Sequence, residues 1–560
     1  MKQIGRLTTI ILILFSIKIS AQTKNTFLIN FTDKNTSFIA GDLLSQKAVD
    51  RRQKFAIEYD SSDYPVNENY ISQVLADTSL TLRYSLKWHN AIVVETTEKA
   101  INSATSLPFV KSITYVGTTN PATNPVKPNF FTPSLRLKES EIKTTNLTPE
   151  NYGVAYSQNR QIGVIELHQN GFDGKGVDLA VFDAGFFNIH KIPAFLKHQG
   201  NEMLTYGYDV VDLDLELTDR DNHGTAVSSC IGSFDVNNYI GSAPRANLFL
   251  FRTENASSEY PLEELNWCKA AELADSAGID MITSSLGYNQ YDDESLSYSW
   301  QDLTGRKSYV SLAARLAVEK GIFVLNSAGN EGDKKWRKIG TPADVAEVLT
   351  IGAVDLKGKL GSFSSQGQNA IGQTKPDVCA LGVKANVAST YGSYYQGYGT
   401  SYATPIAAGG VACLLQAFPT IQPQKIANII RHTASKCNTP DSLMGYGVAR
   451  FDLAYEVLKQ EEINNKTCYL MRVEENQIII FTASRAKVSY SVLTNSKFLW
   501  IFNRKTKLVT GELQSNGPIA VIDLSSKNTK CHKKYTLKAE IDNGVENQVL
   551  KHNDISLCSN

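Results

Sequence analysis

Three side chains far apart in the chain have the chemistry for nucleophilic acyl transfer. Ser401 stands in GTSYATPIAAGG, Gly399 to Gly410, between a glycine turn and a run of small and apolar residues. A serine at a helix start can cap an orphan amide. It can also act as a nucleophile where a base takes its proton and an acid orients that base. His223, in DNHGTAVSSCIG, is the candidate base, and the small residues after it let a helix start pack closely. Asp183 closes VDLAVFD ahead of Ala184 and Gly185, so a carboxylate leaves a strand end beside a tight turn. Taken singly, the three read as cap, core histidine and turn former. Taken together, with Asn330 beyond a further strand, they read as one site.

The elements that must hold these residues follow from hydrophobic patterning. From about Tyr152 to Lys459, short apolar runs alternate with helical stretches: VDLAVFD, ANLFLFR, DMITSSL, IFVLNSA and VLTIGAV as strands, YVSLAARLAVEKG as a helix. This alternation predicts βαβ units around a mostly parallel sheet, an α/β fold. Functional residues in such sheets gather beyond the carboxyl ends of the strands, where Asp183 and Asn330 fall.

These residues carry a resemblance. VFDAG, HGTAV, NSAGNEG and GTSYATP resemble the acid, histidine, oxyanion and serine motifs of the subtilase family of serine proteases, and SSLGY at Ser284 to Tyr288 resembles its substrate-binding strand. The resemblance implies a subtilisin-like three-layer fold. It also implies a secreted serine endopeptidase working through an acyl-enzyme, with catalytic Asp183, His223 and Ser401 and an oxyanion hole of Asn330 and the Ser401 N–H. Ser285, Leu286 and Gly287 would pair with an extended peptide as an added strand. Tyr288 would line a pocket or lie on the surface. The helix after Ser401 should be buried, with Pro405 in about its first turn, where a missing N–H costs least. Ala184 stands where the family commonly has Ser or Thr, and Ala226 where a second histidine is common; neither change removes a catalytic atom. The alternative is an inactive subtilase scaffold used for binding or adhesion, against which the intact set argues. Acid-active relatives would carry a glutamate in place of His223.

The remaining chain frames this domain. Lys plus Arg and Asp plus Glu are 56 each, so no global charge favours nucleic acid as a partner, and the expected partners are protein or peptide substrates and the chain's own N-terminal unit. Residues 1–21 have the layout of a signal peptide, with an apolar run well short of the roughly 20 residues of a spanning helix, which predicts a secreted or cell-surface protein without a transmembrane anchor. Residues 24–117 read as a small α/β unit resembling an inhibitory propeptide, with FLINF, NAIVVET and VKSITYV as strands and SQKAVDRRQKFAIEYD as a helical stretch. A Pro- and Thr-rich linker over 118–151 would follow, then the peptidase domain over 152–459 and a β-rich, sandwich-like module over 460–560 with strands in IIIFTAS, KVSYSVL, FLWIFN and AVIDLS. Eight cysteines would permit up to four disulfides in an exported protein. Neither CxxC nor HExxH occurs. The chemistry requires no cofactor or metal, and FDVNNYIGSAP only loosely resembles a calcium-binding loop, leaving structural calcium open.

Overall fold

The computed structural model describes residues 24–119, 126, 144–196 and 204–464, apart from 38 and 219, together with the strands between 470 and 556. The expected signal segment therefore lies outside the described residues. Seven strands form one sheet in the order Val378–Leu381, Leu349–Val354, Phe323–Ser327, Met281–Ser284, Asp178–Asp183, Asn247–Arg252 and Leu204–Asp209. Every neighbouring pair is parallel. Most of its strands are apolar along their length because both faces are covered.

Strand order reverses at the first strand. Asp178–Asp183 lies between the third and fourth strands of the sheet in chain order, so the crevice beyond its carboxyl end is the switch point where such sheets bind ligands. On one face, Leu179 and Val181 pack with the helices His223–Gly232 and Thr400–Ala417. On the other, Ala180 and Phe182 pack with Pro261–Ala277 and Tyr309–Glu319. This is the three-layer α/β arrangement.

The N-terminal unit is a four-stranded antiparallel sheet in the order Thr81–Leu86, Ala91–Thr96, Lys24–Phe31 and Val110–Thr119. One face, with Phe27, Ile29, Ile92 and Val94, closes over Ile71 and Val74 of its own helix Glu68–Val74. The other, with Leu28, Tyr84, Leu86 and Val93, packs against Leu265, Cys268 and Ala271 of Pro261–Ala277. Burial on both faces explains why NAIVVET shows no alternation. Part of the expected linker is packed: Leu147 and Tyr152 share a small core, and Thr144 donates to Asp173 at 2.8 Å.

Beyond residue 470 all pairings are antiparallel, in a three-stranded and a four-stranded sheet. FLWIFN is divided, with Phe498 ending one long strand and Phe502 beginning the next. The disulfide expectation is corrected for the described residues, because Cys230, Cys268, Cys379, Cys413 and Cys437 are buried free thiols. They act as small apolar core groups. Cys468, Cys531 and Cys558 lie outside the described residues.

A charged clasp fastens the N-terminal unit to the rear of the sheet. From the helix Gln46–Lys54, Arg51 donates to Asp275 Oδ1 at 2.6 Å, the Lys320 carbonyl at 3.0 Å and the Ile279 carbonyl, which lie at or just past the C-termini of two peptidase helices. Cations suit the negative ends of helix dipoles. Arg52 bridges Asp63 and Asp275 at 2.9 Å each, and Lys47 bridges Asp178 and Asp280 at 2.6 and 2.7 Å. Burial alone would raise the Asp275 pKa, but the surrounding Lys87, Arg51 and Arg52 hold it well below the carboxylate range. Arg51→Ala removes one of three cations around buried Asp275 and takes a donor from the Ile279 and Lys320 carbonyls, so it should weaken docking of the N-terminal unit by about 1.5–3 kcal/mol. Urea unfolding of the full chain, followed by the fluorescence of interfacial Trp88, should show release at a lower midpoint; an unchanged midpoint would refute the clasp.

Candidate active site

Asp183 and His223 meet because two backbones touch. The Gly224 N–H donates to the Gly185 carbonyl at 3.0 Å. A Cβ on Gly224 would lie 2.5 Å from that oxygen and 2.7 Å from the Phe186 ring, so only glycine admits this approach. The contact sets the first turn of His223–Gly232 against the end of Asp178–Asp183. His223 Nδ1 then lies 2.9 and 3.1 Å from the two carboxylate oxygens of fully buried Asp183. The Ala184 N–H binds the same carboxylate at 2.8 Å, and the His223 N–H is held by Asp221 Oδ1 at 2.8 Å. With Nδ1 bound to the acid, Nε2 is the nitrogen left for proton transfer. Burial disfavours the charged imidazole, but the charge and hydrogen bond of Asp183, helped by the charge of Asp221, outweigh it and raise the His223 pKa.

Ser401 is the second residue of Thr400–Ala417 and is buried. It is not a cap: Gly399 occupies the N-cap without a side-chain bond, and Ser401 Oγ donates to the Ser285 carbonyl at 3.4 Å. Among the described residues no hydrogen bond joins Ser401 to His223. The Tyr402 ring stands 6.0 Å from the His223 ring, which places the imidazole beside this helix start. Pro405 is the sixth helical residue, not a first-turn residue, so it withholds the N–H that would bind the Ser401 carbonyl. Ser285 Oγ replaces that donor at 2.9 Å. The helix is buried as expected and passes so near Ser242 that a Cβ on Gly409 would lie 2.0 Å from its hydroxyl.

Asn330 is oriented by the residue before the serine. Its Oδ1 accepts from the Thr400 N–H at 2.9 Å and the Thr400 hydroxyl at 3.0 Å, which turns its NH2 group away from them, and the Nδ2 lies 3.8 Å from the position of a Cβ on Gly399. The expected peptide edge is built unevenly. The Leu286 carbonyl is occupied by Asn326 and Ser327 at 2.9 and 3.3 Å, which turns it away from an incoming chain and leaves Ser285 and Gly287 to face one. At Gly287 a side chain would touch only the Thr341 carbonyl, at 3.7 Å. Tyr288 is buried rather than superficial and donates to Glu254. Sequence reasoning missed Thr400, Asp221, Glu254 and the Ser285 hydroxyl. Only the last had a legible signal, since a proline four residues after Ser401 orphans its carbonyl.

FDVNNYIGSAP does not fit a calcium ion: Asp235 is buried and already accepts from Tyr394 at 2.8 Å and Asn238 at 3.1 Å, and the Asn237 side chain is bonded to Asn151.

The subtilase family, Peptidase_S8, matches residues 174–447, and the Bacteroidota Peptidase S8 propeptide domain matches residues 26–129. Subtilisin DY of Bacillus licheniformis is 30% identical over 298 residues, covering 52% of this chain and 94% of that protein. The chain belongs to the subtilase family of serine endopeptidases. Serine protease AprX of Bacillus subtilis is also 30% identical, over 49% of this chain and 65% of AprX. Among solved structures, the prenylagaramide maturation protease PagA is 25% identical, with a TM-score of 0.43, over 52% of this chain and 97% of that one.

The raised His223 pKa gives this subtilase a defined acid limit. A general base must be neutral, so kcat/KM should fall as pH drops through a midpoint above the ordinary imidazole value of about 6.5. Asp183→Asn should move that midpoint lower while reducing the rate by about 10⁴-fold. A pH–rate profile with its acid midpoint at or below the ordinary value in the unmodified enzyme would contradict this.

Proposed function

We propose that this subtilase is an exported endopeptidase in which Asp183, His223 and Ser401 act as acid, base and nucleophile. The observation that carries the reading is the two-oxygen grip of Asp183 on His223 Nδ1, beside the helix that begins at Ser401. Rotation of the Ser401 hydroxyl from the Ser285 carbonyl to His223 Nε2 starts the reaction. His223 takes the proton as Ser401 attacks the scissile carbonyl, then returns it to the leaving amine; water repeats the cycle on the acyl-enzyme. Asp183 stabilises the imidazolium. The Asn330 NH2 and the Ser401 N–H receive the oxyanion, each donor being worth about 3–4 kcal/mol, a magnitude taken from this family. Substrate pairs with Ser285 and Gly287 in extended form. The mechanism asks for no metal or cofactor.

Residues 1–21 direct export, and the N-terminal unit restrains the enzyme until the chain is cut in the 118–151 linker and the unit departs; N-terminal sequencing of secreted protein checks both cuts. No helix among the described residues is long and apolar enough to cross a membrane.

A fluorophosphonate should label Ser401 and abolish hydrolysis of casein, and His223→Ala should prevent the labelling. Asn330→Ala should lower kcat by about 10²- to 10³-fold with little change in KM. Labelling elsewhere with activity intact, or an unchanged kcat in Asn330→Ala, would overturn these assignments.

A further inference from the structure

A polar cavity of about 160 Å³ lies where the N-terminal unit meets the start of Pro261–Ala277. Asn255, Ser258, Tyr260 and Glu263 line it from the peptidase, and Arg83 and Thr119 from the N-terminal unit. Glu263 is 4% exposed. Its Oε1 accepts from the Asn255 N–H at 2.8 Å, whereas its buried Oε2 has no hydrogen-bond partner, and Glu259 lies close enough to repel its charge. Buried Glu254 stands beside it, bound by the Tyr288 hydroxyl. Among the described residues no Lys or Arg forms an ion pair with Glu254, Glu259 or Glu263. The nearby cations are committed: Arg252 to Asp209 and Asp212 at 2.7 Å each, Arg83 to Glu95 and the Val211 carbonyl. A buried carboxyl without donor or cation is costly and either holds its proton or takes a cationic partner.

We propose that Glu263, with Glu254 and Glu259, forms a receptor for a lysine or arginine side chain of the peptide substrate. This rests on the endopeptidase reading above. The Tyr288 to Glu254 hydrogen bond ties the Ser285–Gly287 edge to Glu254, whose charge neighbours that of Glu263 in the cavity wall. An extended chain already crosses the cavity here: Gly117 lies against Tyr260, where a Cβ would be 2.6 Å from the Tyr260 Cβ, and Thr118 and Thr119 cover the opening. When the N-terminal unit leaves, a substrate backbone running from the Ser285–Gly287 edge takes that course. Its cationic side chain enters beside the place Arg83 vacates, its alkyl stem against the Tyr260 ring and its charge on Glu263. Burial, with repulsion from Glu254 and Glu259, pushes the Glu263 pKa up, and burial raises Glu254 to about 8; a bound cation reverses that tendency.

The test uses matured enzyme and peptide pairs differing only in lysine or norleucine at each position on the amino side of the cut bond. At one position lysine should raise kcat/KM by about 10- to 100-fold over norleucine, the range of a charge-assisted hydrogen bond out of water. Glu263→Gln should reduce that preference to within about 3-fold while norleucine peptides are cut as before, and Glu259→Gln should reduce it partly. Binding of the same pairs as uncleavable reduced-amide analogues reads the receptor without turnover. Efficient cutting of norleucine peptides with no lysine preference, or a preference that survives both substitutions, would overturn the receptor and leave the endopeptidase standing. Failure to cut any peptide would sink the endopeptidase reading, and equal binding of the analogues would then sink the receptor independently.

Discussion

Everything in the crevice depends on the contact between the Gly224 N–H and the Gly185 carbonyl. A strand end and a helix start can lie this close only without a Cβ between them. The result is an imidazole whose Nδ1 is fixed by a buried carboxylate 2.9 Å away and whose ring stands beside the start of the serine helix. The pairing also sets the electrostatics, since burial alone would make His223 a weaker base and the Asp183 charge reverses that. The serine side is built by the same economy of volume, with small residues along Thr400–Ala417 letting the helix run beneath the crevice.

The N-terminal unit uses different physics at each of its ends. Its sheet packs apolar side chains against the outer peptidase helices, which is strong but weakly directional. Its helix Gln46–Lys54 adds direction by placing arginines on helix C-termini at the far end of the sheet. Its last strand ends over the polar cavity beside Tyr260. Cutting the linker therefore need not release it, because neither the apolar interface nor the clasp includes that segment.

The parallel sheet was legible because strands buried on both faces read as continuous apolar runs, and VDLAVFD, ANLFLFR and VLTIGAV each fall within a residue of the strands observed. Asp183 and His223 were legible because their motifs coincide with a strand end and a helix start. Less regular elements escaped: Leu204–Asp209, LTYGYD, holds one aliphatic residue, and Val378–Leu381 follows a proline. The packing of Leu147 and Tyr152 was hidden by a Pro- and Thr-rich context that reads as linker. The cysteines misled because an even count in an exported chain suggests bridges, whereas five of them fill core positions. Tyr288 and the carboxyls around Glu263 could not be placed, because their partners come from distant loops.

The central claim is that the glycine contact holds His223 Nδ1 on Asp183 and so makes Ser401 reactive. Its most direct test is the low-field imidazole N–H resonance of ¹⁵N-histidine-labelled enzyme, compared with Gly224→Ala under conditions where both remain folded. The account predicts a protonated Nδ1 held in a strong hydrogen bond in the unmodified enzyme. In Gly224→Ala that resonance should be lost and kcat/KM should fall by about 10²-fold, the cost of roughly an ångström of misplacement. A Gly224→Ala enzyme that keeps both the resonance and full activity would contradict it.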